Sequence, residues 1–181
     1  MKTLLVTLSP SGSGLDALSQ VPDSALLSGG RPLFLHEDRD AAWFELMPAV
    51  RISRLGLGVS RRFAPRYFDA ATVVALSLPS PGASLPLAEA LRVADNALVT
   101  GTWHPVPQPP RWIIETDGCR LELDMDGAFE QAIEAVTERS TIKTGDIIVL
   151  PPREPLRIEV KPGHHAACTL QGLGTLDFKV I

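Results

Sequence analysis

The chain has 181 residues, of which 45% are apolar and 21% charged, with a formal net charge of −4. This length and apolar content are typical of one soluble domain with a real core, so we predict a single domain over residues 1–181. Acidic residues outnumber basic ones and no basic run occurs, which argues against nucleic acid as a partner.

The apolar segments are short and scattered. None reaches the roughly 18–20 residues that a membrane-spanning helix needs. The N-terminal segment Met1–Leu8 gives way to Ser9-Pro10-Ser11-Gly12 before a signal-peptide apolar region is complete. Cys119 and Cys168 have no Cys-x-x-Cys partner, and we interpret both as free buried thiols. We therefore expect a cytoplasmic protein that does not associate with membranes.

Proline and glycine separate short runs of Val, Ile, Leu and Thr along most of the chain, which is typical of strands. We predict a mainly β protein of the α+β class. Four prolines in 99–110 indicate an extended surface connection there. The predicted strands, in chain order, are Thr3–Leu8, Leu33–His36, Trp43–Arg54, Thr72–Leu78, Leu98–Thr100, Arg111–Thr116, Arg120–Asp124, Asp146–Leu150, Leu156–Val160, Ala166–Leu170 and Thr175–Val180.

Two local signals are specific. Asp117-Gly118 adopts positive φ at low cost and predicts a tight hairpin. Phe129, Ile133 and Val136 recur at helical spacing and predict one amphipathic helix, with Asp126 as its N-cap. A shorter helix is predicted over Leu85–Val93.

Several strings resemble the fumarylacetoacetate hydrolase (FAH) family, in order and spacing, from about Gln20 onward. Residues 1–19 are abbreviated relative to that family. The matching strings are Pro22–Leu27, Arg31–Phe34, Val50–Gly56, Arg62–Ala70, Asp95–Ala97, Thr141–Ile148 and Leu176–Val180.

The resemblance implies an FAH-like mixed β-sandwich roll, usually a homodimer, with a divalent metal at one end. Such enzymes hydrolyse, isomerise or decarboxylate acylpyruvates and related 2-oxo acids. The metal is held by a Glu-x-Glu pair on one strand and by an Asp on a following strand. It chelates the 2-oxo acid and polarises its carbonyl.

At most of the family's site positions, this chain has a different type of residue. Glu45 takes the first carboxylate position, but Met47 stands at the second and Leu76 at the Asp position. Glu45 is thus interpreted as a remnant of the metal site, because apolar side chains bind magnesium or manganese negligibly. The family's lysine falls on Arg92, our one catalytic candidate, which can hold a carboxylate but cannot act as a base.

Prolines alter two further family positions. Pro48 lacks a ladder donor, and we expect it at a sheet edge or a bulge. Pro151 and Pro152 stand in the loop where the family has Thr-Gly-Thr-Pro, and they remove two backbone N–H groups that suit an oxyanion or carboxylate.

Two kinds of function follow. The leading hypothesis is a pseudoenzyme without a cofactor, kept for binding or assembly, with a protein as partner. The alternative is an active, divergent FAH-family hydrolase or isomerase that uses Glu45 and Arg92 on a small 2-oxo acid or acylpyruvate, with Mg²⁺ or Mn²⁺. A third hypothesis is an interaction subunit that pairs with a catalytic paralogue, and the sequence does not distinguish it from the first.

Two further groups have an ordinary interpretation beside a functional one. His164-His165 follows Pro162-Gly163 and indicates an exposed turn instead of a metal or base pair. Arginines between residues 51 and 66 are either solvated and paired with acids or an anion-binding face. These arginines are Arg51, Arg54, Arg61, Arg62 and Arg66.

Overall fold

The computed structural model describes residues 1–9, 14–35, 41–78 and 93–181. Strands dominate this part of the chain, and the predicted mainly β class is confirmed. The strands are β1 (Thr3–Leu8), β2 (Leu15–Val21), β3 (Leu26–Ser28), β4 (Ala42–Ile52), β5 (Phe68–Ser77), β6 (Leu98–Thr100), β7 (His104–Pro105), β8 (Arg111–Thr116), β9 (Cys119–Asp124), β10 (Ile147–Val149), β11 (Leu156–Val160), β12 (His165–Leu170) and β13 (Leu173–Lys179). The helix α1 spans Ala128–Thr137, and 3-10 turns lie at Asp23–Ala25 and Arg61–Arg66.

The strands form two sheets. The larger has the order β2-β1-β10-β4-β5-β6-β3, with β11 also paired to β4 and β7 to β5. Most neighbours are antiparallel, but β1 pairs with β10 and β3 with β6 in parallel. The smaller sheet has the order β13-β12-β8-β9.

The main apolar core lies between the two sheets and α1. Phe44 of β4 meets Phe178 of β13 at 6.0 Å between ring centroids, and Trp112 of β8 meets Phe129 of α1 at 5.3 Å. Aromatic pairs at these separations stabilise beyond the area that they bury. The predicted amphipathic helix is thus confirmed, with its apolar side on the sheets.

The opposite face of the larger sheet carries a separate group of buried residues, here called the second cluster. Side chains alternate between the two faces of a strand, so β4 contributes to both cores. The members of the second cluster are Leu5, Val21, Ala25, Met47, Ala49, Val74, Leu76, Ala97, Leu98, Ile147 and Val149.

Pro48 lies in an interior strand, so its predicted position at an edge or bulge is wrong. On one side of β4, β11 pairs with Ala42–Leu46 and β10 with Ala49–Arg51. The Pro48 carbonyl accepts the Leu150 N–H at 3.1 Å on that side. Because the nitrogen and carbonyl of one strand residue face the same way, the missing N–H falls in the gap between β10 and β11.

Most predicted strands are found with small shifts, and the Asp117-Gly118 hairpin joins β8 to β9 with Gly118 at φ +74. The sequence did not predict β2, β3 or β7. In the predicted strand 33–36, Leu33 makes only an isolated bridge to Val180, and His36 lies outside the described residues. The predicted helix Leu85–Val93 falls almost wholly outside them as well.

The N-terminus of α1 differs from the prediction. Gly127, in the left-handed region at φ 64, occupies the N-cap position that we assigned to Asp126, and it provides no side-chain hydrogen bond. The Asp126 N–H is instead bound by the Asp124 carboxylate at 3.1 Å. Within the described ranges, no helix is long and apolar enough to span a membrane.

Candidate functional site

Strand β4 places Glu45 and Met47 on one face of the larger sheet, because residues two apart in a strand point the same way. In β5, Leu76 lies directly opposite Glu45. Cβ atoms of directly opposite residues in an antiparallel pair are ~4.5–5.5 Å apart. The three positions that the resemblance assigns to metal ligands are therefore adjacent on one face.

Glu45 is buried, and its charged partner among the described residues is Arg157. Its side chain is 11% exposed, and the Arg157 Nε lies 3.5 Å from its Oε2. Arg157 is the residue opposite Glu45 on β11, so Arg157, Glu45 and Leu76 form one row across three strands. Burial raises the pKa of the Glu45 carboxyl above its ordinary value, and the nearby Arg157 guanidinium opposes part of that rise.

Met47 and Leu76 belong to the second cluster and are 3% and 6% exposed. They pack on the face that Glu45 also occupies, together with the fully buried Val74 and Leu98. A thioether and an alkyl group offer no oxygen ligand to a hard cation. On the side away from Arg157, the described side chains next to Glu45 on this face are thus apolar.

This donor set does not fit a divalent metal. Magnesium requires oxygen ligands in near-octahedral geometry, and at this place the carboxylate of Glu45 is flanked by Met47, Leu76 and a guanidinium. Within the part of the chain that the structure describes, no three His, Cys, Asp or Glu side chains cluster closely enough to hold a metal ion.

Arg92, the catalytic candidate, lies outside the described residues. The loop that begins at Leu150 and continues through Pro151, Pro152 and Arg153 is described, and it follows β10 directly. It borders a cavity of about 470 Å³ together with Pro48. Pro48 alternates with Met47 along β4, so this cavity lies on the opposite face of the sheet from Glu45.

The histidine pair is exposed, as its sequence context indicates. His165 begins β12, and its Nε2 lies 2.7 Å from the Asp177 Oδ1 on β13. The side chains of His165 and Asp177 are both more than half exposed, so their contact at the surface stabilises the fold little.

The two thiols have different environments. Cys168 is buried as expected, and burial raises the pKa of its thiol to about 12. Cys119 is exposed at the start of β9, so the interpretation of both cysteines as buried is wrong for this one. The polar hairpin around Asp117 keeps Cys119 at the surface.

Arg157 is the site residue that sequence reasoning missed. The only signal in the sequence is a cation between two partly buried residues of a predicted strand, Leu156 and Ile158. Its contact with Glu45 depends on the pairing of β11 with β4, which joins segments far apart in the chain.

Of the comparisons with known proteins, the one with solved structures identifies the fold. No protein-family model matches the sequence, and none of the curated proteins compared with it is detectably similar. Solved structures do match. The 2-hydroxyhepta-2,4-diene-1,7-dioate isomerase from Mycobacterium marinum is 19% identical with a TM-score of 0.78, over 99% of this chain and 74% of that one.

Two further structures extend this result. The fumarylpyruvate hydrolase from Pseudomonas aeruginosa, solved with Mn²⁺ and pyruvate, is 16% identical with a TM-score of 0.76, over 100% of this chain and 89% of that one. A fumarylacetoacetate hydrolase family protein from Yersinia pestis CO92 is 16% identical with a TM-score of 0.73, over 99% and 92% of the two chains. The chain therefore has the fold of the fumarylacetoacetate hydrolase family.

Proposed function

We propose that this chain is an FAH-fold protein that has lost its divalent-metal centre and serves a binding or assembly role. The observation that supports this most directly is the environment of Glu45. Its carboxylate faces Arg157 on one side and apolar Met47 and Leu76 on the other.

The charge balance at Glu45 supports the same proposal. A guanidinium at 3.5 Å supplies the counter-charge that a metal ion supplies to a ligating carboxylate. For a cation to bind there, Arg157 has to move away, and the ion then has to lose water next to Met47 and Leu76. Neither residue compensates for that loss, because neither provides an oxygen.

One observation favours the alternative, an active and divergent hydrolase or isomerase. A carboxyl whose pKa is raised by burial is a better proton donor or acceptor for catalysis than an ordinary one, and burial raises the pKa of Glu45. In this alternative Glu45 transfers a proton, Arg92 holds the carboxylate of an acylpyruvate or related 2-oxo acid, and Mg²⁺ or Mn²⁺ joins them.

Thermal melting separates the two proposals. Chelator-treated protein is melted alone, with millimolar Mg²⁺ or Mn²⁺, and with each metal plus oxalate, which mimics a 2-oxo acid enolate. We expect no change in melting temperature. A ligand at a hundred times its Kd adds about 2.7 kcal/mol, which is roughly 5 °C or more for a chain of this size.

The Glu45→Gln variant is the matched control, because it keeps the size of the side chain and removes its charge. A metal-dependent rise in melting temperature that this variant abolishes would contradict the loss of the metal centre. Turnover of an acylpyruvate that this variant abolishes would contradict it too.

A further inference from the structure

The connection between β4 and β5 presents large apolar and cationic side chains to solvent. We call this the arginine–leucine surface and define it by Arg54, Leu55, Leu57, Arg62, Phe63 and Arg66. Leu55 is 68% exposed, Leu57 67% and Phe63 38%. Single exposed apolar residues are common on proteins, but three large ones within nine positions mark a candidate interaction site.

The backbone below these side chains is fixed. Gly56 exchanges two hydrogen bonds with Ile142, at 3.0 and 2.9 Å, and the Gly58 N–H donates to the Thr137 carbonyl at 2.9 Å. The Val59 N–H donates to the Thr137 hydroxyl at 2.9 Å. The connection is therefore tied to the end of α1, and the two leucines are exposed on an ordered backbone.

Gly56 shows how tightly this connection is packed. A Cβ added there lies 2.7 Å from the Tyr67 ring and 2.8 Å from the Val59 side chain. Only glycine lets the chain pass so close to Tyr67, and this passage directs Leu55 and Leu57 outward on either side. A surface that is ordered before binding loses less conformational entropy when a partner docks.

Two of the three arginines of the surface lie over an aromatic ring. The Arg62 guanidinium lies 4.5 Å from the Phe63 ring centroid and that of Arg66 lies 5.4 Å from it. No salt bridge involves Arg54, Arg62 or Arg66 in the described part of the chain. By contrast, Arg51 pairs with Asp69 and Arg120 with Glu115 and Glu122.

We propose that the arginine–leucine surface docks an acidic segment of another protein, in which Asp or Glu residues flank a large apolar side chain. Guanidinium groups bind carboxylates through two parallel hydrogen bonds, and among the described residues no acid forms a salt bridge with Arg54, Arg62 or Arg66. Leu55 and Leu57 supply the apolar contact. Charge and apolar exposure at one place thus define the chemistry of the partner.

Other occupants fit less well. Binding to an anionic membrane gains only about 1 kcal/mol from each of three arginines, and the arginine–leucine surface as defined contains no further basic side chain. A symmetric contact between two copies centred on this surface brings the arginines of both copies together, which is repulsive.

This inference goes beyond the function proposed above and does not depend on it. Glu45 and Ile52 lie seven residues apart on β4, and extended chain covers ~3.3 Å per residue. The surface begins just after Ile52, so it lies roughly 20 Å from the Glu45 carboxylate. A test of peptide binding at the arginine–leucine surface is therefore independent of the test of metal binding at Glu45.

The test uses a short fluorescent peptide that alternates Glu with Leu and Phe. A second peptide replaces Glu with Lys, and a third replaces the Leu and Phe residues with Ser. Anisotropy is measured in chelator, so that the metal question has no part in it. We expect the full chain to bind only the first peptide, and to bind it more weakly as salt rises.

Two variants locate the binding. Arg62→Glu/Arg66→Glu reverses two charges on the surface, and Arg111→Glu/Arg153→Glu makes the same change in net charge at two exposed arginines elsewhere. We expect about tenfold weaker binding from the first and no change from the second. Leu55→Ser/Leu57→Ser should also weaken binding while the melting temperature is unchanged, since both side chains are exposed.

Four results would overturn the proposal. They are no binding of the acidic peptide, equal binding by both charge-reversed variants, binding of phosphatidylserine vesicles but not of the peptide, and self-association that Leu55→Ser/Leu57→Ser abolishes. The third result assigns the surface to a membrane. The fourth, measured by sedimentation, assigns it to a second copy of this chain.

Discussion

Two carboxylates are buried in the described part of the chain, Asp146 and Glu45, and they are held in different ways. Asp146, directly before β10, is 2% exposed, and both of its oxygens accept backbone N–H groups: Oδ1 from Lys2 at 2.9 Å and Oδ2 from Lys143 at 2.8 Å. Among the described residues, Glu45 in β4 has Arg157 at 3.5 Å as its charged partner and apolar neighbours on its other side.

This difference indicates that Asp146, and not Glu45, has a structural role in the fold. Asp146 ties the N-terminal strand and the turn before β10 together, because Lys2 precedes β1 and Lys143 lies in that turn. In the described ranges, the Glu45 carboxylate joins no comparable pair of backbone segments, and its burial is only partly compensated. A buried charge that the local structure does not require indicates either a remaining functional group or the remnant of one.

The largest expected effect comes from restoring the missing carboxylates beside Glu45. Met47→Glu/Leu76→Asp buries two unpaired acids in the second cluster, so in chelator the free energy of unfolding should fall by about 4 kcal/mol or more. Because the three carboxylates then share one face, millimolar Mn²⁺ should recover part of this loss. Urea denaturation with and without Mn²⁺ measures both effects.

The matched control is Met47→Leu/Leu76→Met, which keeps the apolar volume. It should cost less than about 1.5 kcal/mol per position and respond to no metal. If the acidic variant folds but Mn²⁺ leaves its stability unchanged, the three positions do not form a metal site in this chain, even with all three carboxylates present.

A smaller loss is expected from Asp146→Ala. The variant leaves the backbone N–H groups of Lys2 and Lys143 without their acceptors, and the free energy of unfolding should fall by about 2–4 kcal/mol. Asp146→Asn keeps one acceptor oxygen and should lose less. Chemical denaturation of the three proteins gives the order, and equal stability of Asp146→Ala and the unmodified chain would remove the structural role argued for this carboxylate.

The sequence predicts the parts of this fold whose signals are local. Apolar runs bounded by proline and glycine locate β1, β6, β8 and β11, and Asp117-Gly118 locates a hairpin. The apolar pattern does not predict β2, a largely exposed strand that Asp16 and Gln20 interrupt, or β3, which has only three residues. Such strands are stabilised by pairing with β1 and β6, which no local pattern records.

The candidate site also has a part that the sequence predicts and a part that only the structure shows. The resemblance identifies Glu45, Met47 and Leu76, and strand alternation predicts the face that Glu45 and Met47 share. The ion pair with Arg157 depends on a long-range pairing between β4 and β11, so it is visible only in the structure. Likewise, the sequence contains the arginines between residues 51 and 66, but only the structure shows that Arg51 pairs with Asp69, while Arg62 and Arg66 lie over Phe63 and form no salt bridge with a described residue.

The smallest expected effect is a change in the pH dependence of stability at Glu45. The pKa of Glu45 is raised in the folded protein, so between its ordinary and raised values the folded state binds more protons than the unfolded state. Stability should therefore fall as pH rises through that window. Above the raised pKa, the stability that the protonated Glu45 carboxyl contributes is lost. Glu45→Gln does not titrate, so relative to the unmodified chain it should gain stability as pH rises from acidic to neutral.

Arg157→Ala sharpens this test, because the guanidinium opposes the rise in the pKa of Glu45. Removing it should raise the pKa further and steepen the loss of stability with pH, while Glu45→Gln/Arg157→Ala should show the shallow profile of Glu45→Gln. Urea denaturation across a pH series measures all four proteins. A steeper profile in Arg157→Ala that persists in the double variant would mean that Arg157 acts on a group other than Glu45, and that its guanidinium does not lower the pKa of the Glu45 carboxyl.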